Sequence, residues 1–149
     1  MRNKAYQTIT LLGLFFVLAA SAHAQSDDKV EVNVPFDFHA GETEIPAGTH
    51  DITFIAPRVM KLSSTDGQIN ILLQVPQRAD AQGGVGGAAR LVFRRYGQQY
   101  FLAEVWTGAD YGRGLYMSDS ERNLIKELKR GKRSAAQPLK VKVAALAKR

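Results

Sequence analysis

The sequence predicts an all-β protein: one mainly antiparallel domain, a sandwich or a small barrel of about seven strands, with one C-terminal surface helix. Three observations predict this class. Apolar and polar residues alternate with a period of two in several segments, which is typical of half-buried strands. Turn-forming residues separate these segments at hairpin spacing. Helical patterns do not alternate with the strands, as they would around a parallel sheet.

The first 24 residues have the three parts of a cleavable secretory signal peptide. Arg2 and Lys4 provide the positive start, residues 9–20 are almost entirely apolar, and an A-x-A motif ends at Ala24. The apolar run is shorter than the roughly 20 residues that a membrane-spanning helix needs. We therefore expect cleavage between Ala24 and Gln25, no transmembrane span in the mature chain, and a periplasmic or extracellular location.

The mature part, residues 25–149, is long enough for a single β-rich domain with its own hydrophobic core. It contains no cysteine, so its stability must come from packing rather than from disulfides. Its charge is uneven. Residues 25–120 carry 8 Lys/Arg and 12 Asp/Glu, a net charge of −4, whereas residues 121–149 carry 10 Lys/Arg and 2 Asp/Glu, a net charge of +8.

Strict alternation over residues 30–38 opens the domain, with valines and phenylalanines on one parity. Pro35 lies on the outer parity and cannot donate to a ladder, so this strand is expected at a sheet edge. Residues 45–48 suit a type I turn, with proline second and glycine fourth. The strand that follows places His50 and Phe54 on its inward parity.

A hairpin is predicted around Asp66-Gly67, which is a favoured pair for a two-residue type I′ turn. The register that this turn sets places Leu62 opposite Ile71 and Met60 opposite Leu73. Both pairs then lie on one apolar face, and a one-residue slip would mix the two faces. Residues 77–89, rich in glycine, are predicted to be a loop.

A second long hairpin is predicted over residues 90–107, with Tyr96 paired with Tyr100 across a three-residue turn. This pairing divides the side chains between two faces. The first, a core face, collects Leu91, Phe93, Phe101, Ala103 and Val105. The second is too apolar to be fully solvated and collects Val92, Arg94, Tyr96, Tyr100, Leu102, Glu104 and Trp106. The glycine-rich stretch of residues 107–115 is predicted to be a loop.

Ser118 and Glu121 have the spacing of a capping box, in which the serine caps a helix and the glutamate reaches back to it. The helix is expected over about residues 119–130, and its apolar stripe consists of Leu124, Ile125 and Leu128. A final strand is expected over about residues 139–145, where valines alternate with lysines.

The second face of the long hairpin is a candidate binding surface. Its candidate residues are Arg94, Tyr96, Tyr100 and Trp106, and arginine with aromatic side chains is typical of interface cores and of platforms for sugars. A sugar or a small apolar ligand would suit this surface. The alternative, which we favour, is that the apolar stripe of the helix covers it, because that stripe must be buried somewhere.

The basic C-terminal part is a second candidate. Lys129, Arg130, Lys132 and Arg133 could bind an anionic polymer of the cell envelope, and nucleic acid is not expected for an exported protein. The alternative, which we favour, is a solvated helix face followed by an edge strand that its lysines protect from aggregation.

Catalytic and metal-binding patterns are missing from the sequence. The mature chain keeps two histidines, His39 and His50, without metal-ligand spacing, and it has no nucleophile motif. We therefore expect no metal, no cofactor and no enzyme, but a binding or envelope-associated module. Two alternatives stay open: a small-ligand carrier of the barrel type, and a hydrolase that uses Asp37, His39 and His50.

Two segments resemble signatures of a family of small exported bacterial proteins of unknown function. The first combines VPFDF at residues 34–38 with IPAG at residues 45–48, and the second is YGQQYFLAEVW at residues 96–106. The resemblance covers most of the mature chain and implies export, but it carries no activity, cofactor or catalytic residue. The sequence departs from it at His50, where the resemblance implies an aromatic residue such as tyrosine.

Overall fold

The structure, a computed structural model, describes residues 29–80, 88–108, 111–131 and 137–146. The predicted signal peptide and two candidate residues, Lys132 and Arg133, lie outside this part. The described elements, in chain order, are β1 (Lys29–Val34), β2 (Phe38–Ala40), β3 (Thr43–Ile45), β4 (Gly48–Ala56), β5 (Val59–Ser64), β6 (Asn70–Gln74), β7 (Gln77–Asp80), β8 (Arg90–Tyr96), β9 (Gln99–Trp106), β10 (Tyr111–Gly114), α1 (Asp119–Arg130) and β11 (Leu139–Ala144).

The strands form two sheets. The four-stranded sheet has the order β1-β4-β5-β6, and the seven-stranded sheet follows β11-β8-β9-β10-β7, with β2 and β3 attached beside β9. All of these pairings are antiparallel except β2 with β9, which pair in parallel at His39 and Phe101. The sheets do not close on themselves, so the all-β prediction is confirmed as a sandwich rather than a barrel.

The core lies between the sheets, where the inward parities of both meet. In β1 every second residue is buried, as the alternation predicts. Phe93 of β8 lies at the centre with no exposed surface, and its ring packs edge-on against those of Phe36 and Phe38, at centroid distances of 5.3 and 5.1 Å. Bulky side chains therefore fill the space between the sheets.

The predicted first strand is in fact two strands in different sheets. β1 ends at Val34 and pairs with β4, whereas β2 begins at Phe38 and pairs with β3 and β9. Pro35 explains the break, because it has no N–H to continue a ladder. The chain crosses between the sheets at this point without losing its alternation.

The β5–β6 hairpin has the predicted register, with Leu62 opposite Ile71 and Met60 opposite Leu73. The predicted two-residue turn is wrong. The Gly67 N–H donates to the Ser64 carbonyl, and the Ser64 N–H donates to the Ile69 carbonyl, so four residues form the loop.

Gly67 is the last residue of a β-turn over residues 64–67, not one of its two central residues. Gly67 has a φ of 75°, while the Asp66 carboxylate accepts bonds from the Ser64 hydroxyl and, at 3.1 Å, from the Gln68 N–H. The register survives because a loop of four residues keeps the same pairs opposite each other as a loop of two.

The β8–β9 hairpin differs from prediction in both its turn and its register. Tyr96 pairs with Gln99, not with Tyr100, around a two-residue turn in which Gly97 has a φ of 62°. The register then shifts near Val92, because Leu102 lies opposite Phe93 and Glu104 opposite Val92. Ala103 of β9 therefore has no residue opposite it, which is a β-bulge.

The bulge changes which side chains face the core. Leu102, opposite Phe93, joins the core, while Phe101, opposite Arg94, lies on the outer face. The Tyr100 ring lies on the core side of the sheet, where it stacks on the Phe36 ring at a centroid distance of 3.9 Å. The predicted faces are correct throughout β8, but in β9 they are correct only after the bulge, from Glu104 to Trp106.

Two segments predicted as loops are strands. Residues 77–80 form β7 and residues 111–114 form β10, and the two strands pair with each other at the end of the seven-stranded sheet. Gly112 is essential to this packing, since a Cβ atom there would lie 2.5 Å from the Trp106 ring. In the described part of the chain, no helix combines the length and apolar character that crossing a membrane requires.

Candidate functional site

The start of α1 is fixed to the outer face of the seven-stranded sheet by a buried ion pair. Ser118 caps the helix as predicted, accepting the Glu121 N–H at 3.1 Å. The Glu121 carboxylate, however, binds Arg94 in a bidentate pair, with Nε–Oε1 and Nη2–Oε2 distances of 2.5 and 2.8 Å. The Tyr96 hydroxyl donates to the same carboxylate at 3.1 Å.

Burial decides the chemistry of this cluster. Glu121 is 1% exposed and Tyr96 is 3% exposed. Burial raises the pKa of the Tyr96 phenol to about 12, and the Glu121 charge acts in the same direction. The phenol therefore stays protonated and keeps donating to the carboxylate, so the cluster has the features of a structural contact.

Trp106 lies on the same outer face and is also buried, at 3% exposure. Its indole N–H donates to the Glu104 carboxylate at 3.0 Å, and the Arg90 guanidinium lies 4.4 Å from the ring centroid. Of the four candidate ligand residues, the structure thus brings Arg94, Tyr96 and Trp106 to one packed face. The fourth, Tyr100, lies on the opposite side of the sheet.

A second carboxylate also contacts the start of the helix. Glu42, in the turn between β2 and β3, accepts the Asp119 N–H and, at 3.3 Å, the Ser120 N–H. The Asp119 bond is the main reason that the pKa of Glu42 is lowered. A carboxylate at a helix N-terminus also complements the helix dipole. Sequence spacing gives no signal for this contact, because about 77 residues separate the partners.

We expect the Glu42→Gln variant to lose stability in a pH-dependent way. The pKa of Glu42 is lower in the folded protein than in the unfolded chain, so its stabilisation is present above the unfolded pKa, about 4.3. That stabilisation is lost as the pH falls through the folded value. The difference in unfolding free energy between wild type and variant should therefore shrink between pH 6 and about pH 3.

Urea denaturation at several pH values measures this difference. Glu44→Gln is the matched control, because it removes a carboxylate from the same hairpin. The proposed contact would be contradicted if both variants lost the same stability with the same pH dependence.

The residues of the hydrolase alternative make separate contacts. His50 is buried, with its Nε2 3.0 Å from the Pro46 carbonyl, while His39 stacks on Phe101 at 4.8 Å. The Asp37 carboxylate accepts the Ala47 N–H at 2.7 Å. Among the described residues, no three His, Asp or Glu side chains are placed to hold a metal ion.

Two lysines of β11 lie on the outer face of the seven-stranded sheet. Lys140 lies opposite Arg94 and Lys142 opposite Val92, so both lysines share the face to which Glu121 joins α1. We name five exposed residues of α1 and β11 the basic face: Lys126, Lys129, Arg130, Lys140 and Lys142.

These elements define a β-sandwich protein with a helix fastened to the outer face of one sheet. The chain matches no protein-family profile, no curated protein and no solved structure. The geometry of its own residues therefore carries the argument for function.

Proposed function

We propose that the chain is an exported, non-catalytic binding module that recognises an anionic polymer of the cell envelope through its basic face. The observation that carries this proposal is the β11–β8 register. It places Lys140 and Lys142 on the same sheet face that carries α1. Two lysines of β11 thus lie on the face to which the first turn of α1 is joined through Glu121.

The charge distribution supports the proposal. The last 29 residues carry a net charge of +8, against −4 for residues 25–120. Extended lysine side chains on a sheet edge and a helix end suit a flexible polyanion, which offers many weak charge contacts rather than one shaped ligand. Lys140 also lies 3.4 Å from the Glu104 carboxylate, which is partly exposed, so solvent screens that pair.

The filled interior supports recognition at the surface rather than inside the sandwich. The core positions of both sheets hold bulky side chains, including Phe38, Phe93 and Met60, each 1% exposed or less. The candidate aromatic residues Tyr96 and Trp106 are themselves buried, each 3% exposed. Export itself is proposed from the signal-peptide pattern of residues 1–24.

Binding to lipopolysaccharide vesicles and to heparin tests the proposal. We expect the double variant Lys140→Ala/Lys142→Ala to bind about 30-fold more weakly, since each lysine near an anionic surface contributes about 1 kcal/mol. The affinity of the wild type should fall steeply as salt is raised. Binding is measured by co-sedimentation with the vesicles.

The matched control removes two lysines from the other sheet. Lys29 and Lys61 belong to β1 and β5, so Lys29→Ala/Lys61→Ala lowers the net charge equally and should leave most of the affinity. Equal losses in the two double variants would reduce the effect to net charge and contradict a dedicated face. Binding that does not respond to salt would contradict the proposal altogether.

A further inference from the structure

Three arginines that are distant in sequence meet in a cleft of about 280 Å³. Arg58 lies in the turn between β4 and β5, Arg78 lies on β7, and Arg113 lies on β10. The cleft is at the β7 end of the seven-stranded sheet, whereas β11 forms the opposite end. It is therefore a separate place from the basic face.

The strand register brings two of these charges directly opposite each other. Arg78 pairs with Arg113 in the antiparallel β7–β10 ladder. Like charges at directly opposed positions destabilise a sheet, and guanidinium groups do not lose their proton in proteins. Both arginines also make contacts within the protein.

The walls of the cleft are held by contacts of the backbone. The Val75 N–H donates to the Arg58 carbonyl at 2.8 Å, which connects the segment between β6 and β7 to the β4–β5 turn. Arg113 donates to the Pro57 carbonyl, and its guanidinium lies 4.9 Å from the Phe54 ring centroid. The Arg113 side chain is thus oriented before any ligand binds, which lowers the cost of binding.

We propose that this cleft binds a phosphate or sulfate group. Arginine forks suit these oxyanions, because parallel N–H donors match two oxygens at once. The three arginines lie on three separate elements, so they approach a ligand from different directions. A tetrahedral anion has oxygens that point in several directions, whereas a carboxylate has only two oxygens, which lie in one plane. Sites for drug-sized ligands have volumes of about 300–1,000 Å³. The cleft is slightly smaller, so it takes one anionic group of a ligand.

Thermal unfolding and calorimetry of the full chain with sodium phosphate, sodium sulfate or sodium acetate test this site. All solutions are brought to one ionic strength with sodium chloride. We expect phosphate or sulfate to raise the melting temperature of the wild type and acetate to have little effect. The comparison of phosphate with sulfate shows which oxyanion the cleft prefers.

Arg78→Gln should weaken the binding of the preferred oxyanion at least about tenfold, because a charge-assisted bidentate contact is lost. Arg113→Lys keeps the charge but loses the fork, so it should also bind more weakly.

Arg122→Gln is the matched control, because it removes one exposed arginine of α1 that belongs neither to the cleft nor to the basic face. It should respond to phosphate or sulfate as the wild type does. Equal responses of Arg78→Gln and Arg122→Gln would overturn the proposal. A wild-type response no larger than that to sodium chloride at the same ionic strength would also overturn it.

Discussion

Replacing Arg94 with methionine is expected to lower the free energy of unfolding by about 3–5 kcal/mol. The substitution leaves the Glu121 carboxylate, 1% exposed, without its cation, while the methionine side chain fills much of the space of the arginine stem. Among the residues that the structure describes, only the Tyr96 hydroxyl would still donate to this carboxylate. Urea denaturation followed by fluorescence of Trp106, the one tryptophan of the chain, measures the loss.

Arg122→Met is the matched control, since Arg122 pairs with Asp119 on the exposed side of the same helix. Its expected effect is below about 1 kcal/mol. Adding Glu121→Leu to Arg94→Met should recover much of the stability, because an apolar pair can replace a buried ion pair at little cost. Small, equal effects of Arg94→Met and Arg122→Met would contradict the burial of the pair.

Phe93→Ala is expected to cost about 3–5 kcal/mol. The Phe93 ring is fully buried, and it contacts the rings of Phe36 and Phe38 from the segment that crosses between the sheets. Alanine would leave a cavity at the place where the two sheets meet, and neighbouring strands can relax into it only in part. The midpoint of urea denaturation should fall accordingly, with little change in slope.

Leu72→Ala provides the comparison for this core substitution. Leu72 also lies on a strand, but its side chain is 63% exposed on the outer face of β6, so the expected change is within about 0.5 kcal/mol. A Phe93→Ala variant as stable as Leu72→Ala would show that the ring is not part of a packed core.

The sequence by itself determined the features that depend on local chemistry. Two-residue alternation identified β1 and the inward parity of β4, because successive side chains of a strand point to opposite faces. The register of β5 with β6 followed from the apolar pattern, although the turn type did not. The cap at Ser118 was predictable because the serine and the N–H that it accepts are three residues apart.

The tertiary structure decided where the chain changes sheet, where β9 bulges and which side chains meet across long separations. A bulge at Ala103 changes the local chain little, yet it moves Phe101 outward and Leu102 inward, and only packing against the second sheet selects that choice. Arg94 and Glu121 are 27 residues apart, and Arg58, Arg78 and Arg113 come from three different strands or turns. Periodicity reports neighbours along one strand, so contacts between elements become visible only when the sheets are assembled.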